Sequence, residues 1–442
     1  MFDTCRYLQT FYEEHVRLGA PLRGELAKHR DACLELLKSG LRKLGERRRR
    51  PDGYPEYVRT VNQGSYAMNT LNQHPHKEYD IDVAVIFRRE DLPEHALKAR
   101  QRVAEALRAS LNNFATKPLA RTNAVTVWYT KGEHVDLAVY REVVGDGEPD
   151  FLEHASAQWR RRDPEAVNEW FSQNTQRLSP TPESGATVEK LQFRRIVRLV
   201  KAFARSRVSW ELPGGMILST LVAEVYQPDP HRDDVSLYNT LCALQSRLRE
   251  NLEVDSPVAQ GESLTSKRQI RAQVERLLGK LNFVLPHLEV LKAPDCLEER
   301  ALTAWSWVFR HRYWYEQSRN ARLRAALAEP TSLRVRAGLA GSERGPIRSA
   351  YKDRAAISKD TWLCFSLKKR LDIPLPVVVR WLVQSRGQEA LSAGEGEYKY
   401  VGEGRELWLR AKYKGRHSIT CEVIKDGYVV ARGIRHMLVS SD

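Results

Sequence analysis

The chain has 442 residues, with 71 Lys and Arg against 56 Asp and Glu, a formal net charge of +15 and a sequence pI of about 9.5. That length is too great for one ordinary core, so two or three domains are expected, and the basic excess suits anionic partners such as nucleotides, nucleic acid or acidic protein surfaces. Six scattered cysteines without C-x-x-C spacing exclude the usual zinc and disulfide signatures, and no apolar run reaches transmembrane length.

In chain order, the first residues lack a signal peptide's charged start and apolar core, so a reduced cytoplasmic setting with no membrane partner is expected. Residues 1–50 read as helix, with Leu26, Cys33, Leu36, Leu37, Leu41 and Leu44 at helical spacing, ended by Arg47, Arg48, Arg49 and Arg50 and then by Pro51, Gly53 and Pro55. The arginine run reads either as a grip on nucleic acid or a triphosphate, or as a solvated helix end favoured by the helix dipole. Residues 61–87 put a Gly64-Ser65 turn one short helix ahead of a strand that begins Asp80-Ile81-Asp82. Period-2 alternation sets both carboxylates on one face of that strand and Ile81, Val83 and Val85 on the other. Residues 96–114 form an amphipathic helix with Val103, Leu107 and Leu111 on one side. Two β-rich runs, 124–129 and 134–140, flank a hairpin-like turn at Lys131-Gly132-Glu133. Asp136 stands inside the second, otherwise apolar run, where an unpaired charge is costly and a metal would relieve it.

From residue 155 the pattern is helical. Asp163 and Pro164 supply a cap and a first helical residue. Residues 187–205 read as an amphipathic helix carrying Leu191, Ile196, Leu199, Val200 and Phe203, with Lys190, Arg194, Arg195, Arg198 and Lys201 around its polar side. Helices over 216–226, 235–248, 270–285 and 302–309 follow. Gly and Pro mixed with Arg between residues 328 and 351 mark a linker. Beyond it, residues 361–365, 377–383, 407–409, 418–424 and 428–432 are strand-like, with Lys425-Asp426-Gly427 a hairpin turn. The last ~100 residues therefore predict a small all-β sandwich.

Two acids side by side need a cation. The economical reading of residues 61–87 is a divalent-metal site for nucleoside triphosphate chemistry, with the backbone N–H groups and hydroxyl of Gly64-Ser65 holding phosphate oxygens. Asp80, Asp82 and Asp136 make a D-x-D plus a third acid on a neighbouring strand, enough to bridge two ions. In-line attack on an α-phosphate uses one ion to lower the pKa of the attacking hydroxyl and another to neutralise the triphosphate and departing pyrophosphate. A lone D-x-D occurs often on surface strands; the Gly-Ser turn ahead of it makes this one specific.

The stretches Gln63-Gly64-Ser65-Tyr66-Ala67, Glu78-Tyr79-Asp80-Ile81-Asp82-Val83-Ala84-Val85 and Val135-Asp136-Leu137 resemble the polymerase-β-type nucleotidyltransferases, specifically the bacterial cGAS/DncV-like enzymes (CD-NTases, SMODS). That resemblance covers roughly residues 10–310, including Lys201, the Pro213-Gly214-Gly215 turn and the end at Trp305 to Phe309. The tail, with Arg380-Trp381-Leu382-Val383, Tyr413-Lys414-Gly415-Arg416-His417 and Cys421-Glu422-Val423-Ile424, resembles the adenylyl/guanylyl-cyclase and SMODS C-terminal sensor domain. By itself the tail also reads as an oligomerisation or partner-binding sandwich.

The resemblance implies an α+β fold: a polymerase-β-like nucleotidyltransferase core with a helical lobe, then the small all-β domain. The expected division is a catalytic core over 1–150, a helical lobe over 151–328, a linker over 329–350 and a β-rich sensor over 351–442. It implies two Mg²⁺ ions, with Mn²⁺ as a substitute, on Asp80, Asp82 and Asp136, the last also helping to deprotonate the acceptor hydroxyl. Gly64, Ser65 and Lys201 would bind the triphosphate; by itself Lys201 also admits the reading of a snorkelling side chain. At Gly214-Gly215, relatives often carry a serine, for which backbone N–H groups would substitute. For the nucleobase, Tyr66, His74 and His76 are candidates by proximity, and the two histidines also read as loop surface.

The activity so implied is synthesis of a cyclic oligonucleotide from ATP and other nucleoside triphosphates in anti-phage (CBASS) defence, with a downstream effector acting through the product and a ligand for the sensor domain. The basic surface admits nucleic acid. The alternatives are an RNA 3′-end or 2′-5′ oligonucleotide-extending enzyme, and a catalytically inert basic scaffold.

Overall fold

The computed structural model describes the chain except residues 50–53, 74–78, 111–115, 131, 145–149, 181–190, 328–329, 368–372, 374–375, 396–398, 426–427 and 441–442. Arg50, Pro51, Gly53, His74, His76, Leu111, Lys131, Lys190, Asp426 and Gly427, all invoked above, lie outside the described residues. The chain divides into two compact units: Asp3–Leu288 with Trp307–His311, and Met1–Phe2 with Glu289–Ser306 and Arg312–Asp442.

In the first unit the expected N-terminal helix is two. Helix α1 (Cys5–Phe11) continues through a π-helical turn, Tyr12–Val16, and stops where Arg17 is extended. Helix α2 (Ala20–Arg47) then starts afresh behind Gly19, with Pro21 in its first turn, where a missing N–H breaks no helical bond. The sheet follows: β1 (Arg59–Gln63), a one-turn helix α3 (Gly64–Ala67), β2 (Tyr79–Arg88), helix α4 (Ala96–Ser110), then β3 (Leu119–Ala120), β4 (Val125–Trp128), β5 (Glu133–Val143), β6 (Phe151–Ala155) and β7 (Trp159–Arg161). The strand order is β1-β2-β5-β4-β3, with β6 paired to β5 and β7 to β6; only β2 and β5 are parallel. A parallel pair needs a crossover, and α4 lies within it.

Alternation along β2 and β5 divides the sheet's two faces. Ile81, Val83, Val85, Val135, Leu137 and Val139 are buried in a core with Leu37 and Leu41 of α2 and Val103 and Leu107 of α4, each such side chain contributing roughly 1.5–3 kcal/mol. On the reverse face Ala84, Ile86, Ala138, Tyr140 and Leu152 form a small apolar cluster, and the acids occupy its polar end. Because β6 and β7 belong to this sheet, a core ending at residue 150 is too short.

The helices are α5 (Pro164–Leu178), α6 (Gln192–Ala204), α7 (Gly215–Val225), α8 (Asp233–Glu250) and α9 (Arg268–Leu288). Asp163 caps α5 as its position predicts, its Oδ1 accepting from the N–H of Glu165 at 2.9 Å and of Ala166 at 3.0 Å. The expected polar side of α6 is not exposed: Arg194, Arg198 and Lys201 are only 6%, 3% and 2% exposed. Arg198 donates to the Tyr12 hydroxyl and to Asn69 Oδ1, and Arg195 pairs with the buried Asp233 at 2.7 Å. Partners distant in sequence turn a solvated face into a buried polar one.

The second unit takes in Glu289–Ser306, and so most of helix α10 (Glu298–Phe309), and continues in helix α11 (Arg312–Leu327), which the sequence pattern does not predict. The supposed linker is structured. Its residues supply β8 (Thr331–Ser332), β9 (Val335–Ala340) and β10 (Ile347–Ala350), because Val335 and Ala340 are buried and the intervening Gly and Arg residues serve an outer face and a turn. Then come β11 (Ala356–Ser358), β12 (Trp362–Leu367), β13 (Val378–Arg386), a short helix α12 (Gln388–Ser392), β14 (Lys399–Glu403), β15 (Glu406–Arg410), β16 (Gly415–Lys425) and β17 (Tyr428–Ser440). A four-stranded sheet, β10-β9-β12-β15, and a six-stranded one built on β11-β17-β16-β13-β14 with β8 share one core, in which Leu363 and Phe365 meet Trp381, Ile419 and Val423. That is a sandwich.

Candidate active site

The parallel register of β2 and β5 sets Asp80 opposite His134 and Asp82 opposite Asp136, so the three acids share one face and one end of the sheet. Asp82 is the centre of this arrangement. Burial, first, and the neighbouring charges of Asp80 and Asp136, second, push its carboxyl up to about 7, against the pull of His134 and Lys201. Asp136 is held differently. Thr126, opposite it on β4, donates to its Oδ1 at 2.5 Å, and His134 Nδ1 stands 3.4 Å from its Oδ2. Burial works against its charge, but these hydrogen bonds prevail and keep the carboxyl below its ordinary value.

Gly64 opens α3 directly after β1, whose last residue, Gln63, pairs with Asp82. Its φ is +66°, and a Cβ there would stand 2.1 Å from Asp82 Oδ2, so only glycine fits. Ser65 and the following turn are tied down by the bonds Met68 N–H to Gly64 O (3.1 Å) and Thr70 N–H to Ser65 O (2.8 Å). Asn69, itself at φ 54°, ends this segment and accepts at Oδ1 from both Arg23 and Arg198. Tyr66 packs against the α2 face of the sheet under the Arg23 guanidinium, 4.5 Å from its ring centroid, and does not line the cleft.

The cleft has a volume of about 1110 Å³. One wall carries Gln63, Gly64, Ser65, Asp80, Asp82 and Tyr140; the other carries Lys201 and Arg205 at the end of α6, Gly215 and Met216 at the start of α7, and Ser256, Gln260 and Glu262 from the loop before α9. Arg161 and Arg162 stand at its edge. Lys201 Nζ donates to Thr70 O at 2.8 Å and to Thr70 Oγ1 at 3.0 Å, beneath Gly215. Burial and the nearby Arg205 depress its pKa to about 7, although Asp80 and Asp82 pull the other way. It is not a snorkelling lysine: it is 2% exposed and reaches across to the Gly-Ser segment. Of the arginine run, Arg48 pairs with Glu105 at 2.6 Å, and none of its described members lines the cleft.

Thr126, His134, Asn69 and Thr70 were missed in the sequence. His134 had a signal, since the H-x-D spacing sets it on the same strand face as Asp136. Thr126 follows from the hairpin register. Nothing local marks Asn69 or Thr70.

Hard carboxylate oxygens on Asp80, Asp82 and Asp136 suit a hard divalent cation. As placed, the described residues gather no group of three His, Cys, Asp or Glu side chains around one point, Asp136 being turned toward Thr126 and His134. The donor set nonetheless fits a cation: Asp82 is buried beside the charges of Asp80 and Asp136, and burial first and those charges second raise its pKa, costs that a bound cation would offset.

Residues 58–140 match the family model described as the nucleotidyltransferase domain of DncV-like cyclic GMP-AMP synthase, and residues 313–440 that of the adenylyl/guanylyl and SMODS C-terminal sensor domain. The chain carries a DncV-like nucleotidyltransferase domain and a SMODS-type sensor domain. Among solved structures, this chain is similar to E. coli MS115-1 CdnC with ATP (17% identity, TM-score 0.52, covering 70% of this chain and 98% of that one). It is also similar to Vibrio cholerae DncV in complex with a linear intermediate (16%, 0.53, 71% and 98%) and to Bradyrhizobium diazoefficiens CdnG with GTP (16%, 0.53, 72% and 98%). At such identities the likeness establishes the fold. No helix among the described residues is long and apolar enough to cross a membrane.

Proposed function

We propose that this nucleotidyltransferase joins nucleoside triphosphates into a cyclic oligonucleotide that signals to a downstream effector in anti-phage defence. One observation carries the reading: Asp80 and Asp82, with Asp136 beside them, share one wall of a single cleft with Gly64-Ser65, and Lys201 stands on the other. The N–H groups of the Gly64–Ser65 turn and the Ser65 hydroxyl bind the donor triphosphate, and Lys201 reaches it from the opposite wall. Asp136, held ionised by Thr126 and His134, helps take the proton of the attacking ribose hydroxyl. Magnesium on Asp80, Asp82 and Asp136, when bound, supplies charge neutralisation for the triphosphate and activation of that hydroxyl. The nucleobases lie against the loop that carries Ser256, Gln260 and Glu262. Residues 313–440, matched by the sensor-domain model, serve as the sensor.

The test is to incubate the protein with Mg²⁺ and the four labelled triphosphates, singly and paired, then treat with phosphatase and resolve the products. A small phosphatase-resistant product supports a cyclase. Label chased into RNA length would establish the extending enzyme instead, and absence of pyrophosphate release from every mixture an inert scaffold.

A further inference from the structure

The six-stranded sheet of the second unit carries apolar residues on both of its faces. Trp381 of β13 and Ile419, Cys421 and Val423 of β16 point inward to the sandwich core. Alternation then turns Val378 and Leu382 of β13, Ile424 of β16 and Ile434 of β17 outward, and Tyr400 of β14 joins them as the cross-strand partner of Leu382. None of these five belongs to the sandwich core, and Val378, Ile434 and Tyr400 are 47%, 48% and 58% exposed. The outer face of a sandwich sheet ordinarily presents polar residues to water. Apolar positions spread over four neighbouring strands of such a face mark a contact surface.

The charges on the same face say what fits it. In the strand order β17-β16-β13-β14, the register lines up Arg432, Glu422, Arg380 and Glu403, so the row reads plus, minus, plus, minus. The next row along the strands is Ile434, Thr420, Leu382 and Tyr400. Glu422 is held between Arg380 and Arg432. The ends of the row are therefore its open charges: Arg432, with a side chain 47% exposed, and Glu403, exposed on the outermost strand β14. Against a polyanion half of this row would repel. A copy of the row turned end for end is complementary to it, because reversal sets each sign against its opposite.

We propose that a second copy of this chain docks face to face on this sheet, about a two-fold axis parallel to the strands and lying between β16 and β13. Such a rotation sets Arg432 of each copy against Glu403 of the other, and Ile434 against Tyr400, so one patch serves both sides of an isologous interface. A two-fold axis along the row would set like charge on like, and the alternation excludes it. The dimer is a property of the second unit and stands independently of the reaction proposed above.

The test is sedimentation of the full-length protein over a range of concentrations, without triphosphate, alongside circular dichroism to check folding. Expected is a concentration-dependent dimer whose dissociation constant rises by roughly tenfold or more in Glu403→Arg and in Arg432→Glu, each of which opposes like charges across the axis. Mixing those two variants should recover the dimer as a mixed species, since both contacts then join opposite charges again. Ile434→Lys should weaken the dimer and gain nothing from mixing. Should Arg432→Glu fail to fold with a second acid beside Glu422, Glu403→Arg and Ile434→Lys carry the comparison, with Glu403→Asp expected to dimerise as the parent does. The proposal is overturned if the parent stays monomeric at every concentration, leaving the face to another partner. It is overturned equally if Glu403→Arg and Ile434→Lys dimerise as the parent does, or if the folded charge variants do not associate on mixing.

Discussion

A methyl group on Gly64 would stand 2.1 Å from Oδ2 of Asp82. The phosphate turn and the most perturbed carboxylate are thus one packed unit, and the glycine is required twice, by its φ of +66° and by the approach. Gly64→Ala should keep the fold, judged by circular dichroism, and lower pyrophosphate release by about 10²-fold or more, the usual consequence of displacing a catalytic group by an ångström. Near-parent activity would show that the turn does not position Asp82.

Lys201 yields a pH signature. With its pKa depressed to about 7 by burial and Arg205, the ammonium deprotonates above that pH, and its attraction for a triphosphate is lost. The KM for the donor triphosphate should therefore rise from pH 7 to pH 9 in the parent. Lys201→Met should have a KM raised by roughly 10-fold at pH 6.5, as for loss of one charged hydrogen bond, and show a flatter profile. Parallel profiles would place Lys201 outside the nucleotide site.

Asp82 separates stability from function. Its carboxyl is raised from the ordinary value to about 7, so the folded protein holds a proton there that the unfolded chain releases. Stability must then fall as pH rises between about 4 and 7 through this group. Above that window, with chelator present, Asp82→Asn should melt higher than the parent, by on the order of 1–3 kcal/mol, and the difference should vanish below pH 4. Pyrophosphate release should be abolished throughout.

Much of this site was legible because it is local. Period-2 alternation placed Asp80, Asp82 and Asp136, and glycine before serine marked the turn. What escaped was set by distance: Arg198 reads as part of a polar helix face, and the burial of Lys201 is not legible, because Tyr12, Asn69 and Thr70, which bind them, lie more than a hundred residues away. The same holds in the second unit. Gly and Arg between residues 328 and 351 suggest a linker until β12 offers β9 a partner, and α11 hides Trp314 and Ala321 among arginines.

Thr126 tests whether Asp136 must be oriented. Thr126→Val removes the donor to Oδ1 while preserving shape at a residue 1% exposed. Losing that bond lets the carboxyl turn and raises its pKa, so the lower limb of the pH–rate profile should move upward and the rate fall by about 10-fold, with KM little changed. Thr126→Ser should restore both. A change in KM alone would make Thr126 a packing residue.

In the second unit, Glu422 is 4% exposed between Arg380 and Arg432, which face it from the flanking strands of the six-stranded sheet. Arg380 Nη2 stands 2.5 Å from Oε2 and Arg432 Nη2 2.8 Å from Oε1. Burial acts to raise the Glu422 carboxyl, but the two guanidiniums outweigh it and hold it below its ordinary value. Its contribution is therefore present above the unfolded value and lost as pH falls through the folded one. Glu422→Ala leaves two like charges facing an apolar gap and should destabilise this unit by about 1–3 kcal/mol at pH 7, less than a fully buried pair because both arginines are partly in water. Calorimetric melting should show that deficit shrinking as the pH is lowered below 4. A deficit constant with pH would assign the loss to packing and not to the ion pairs.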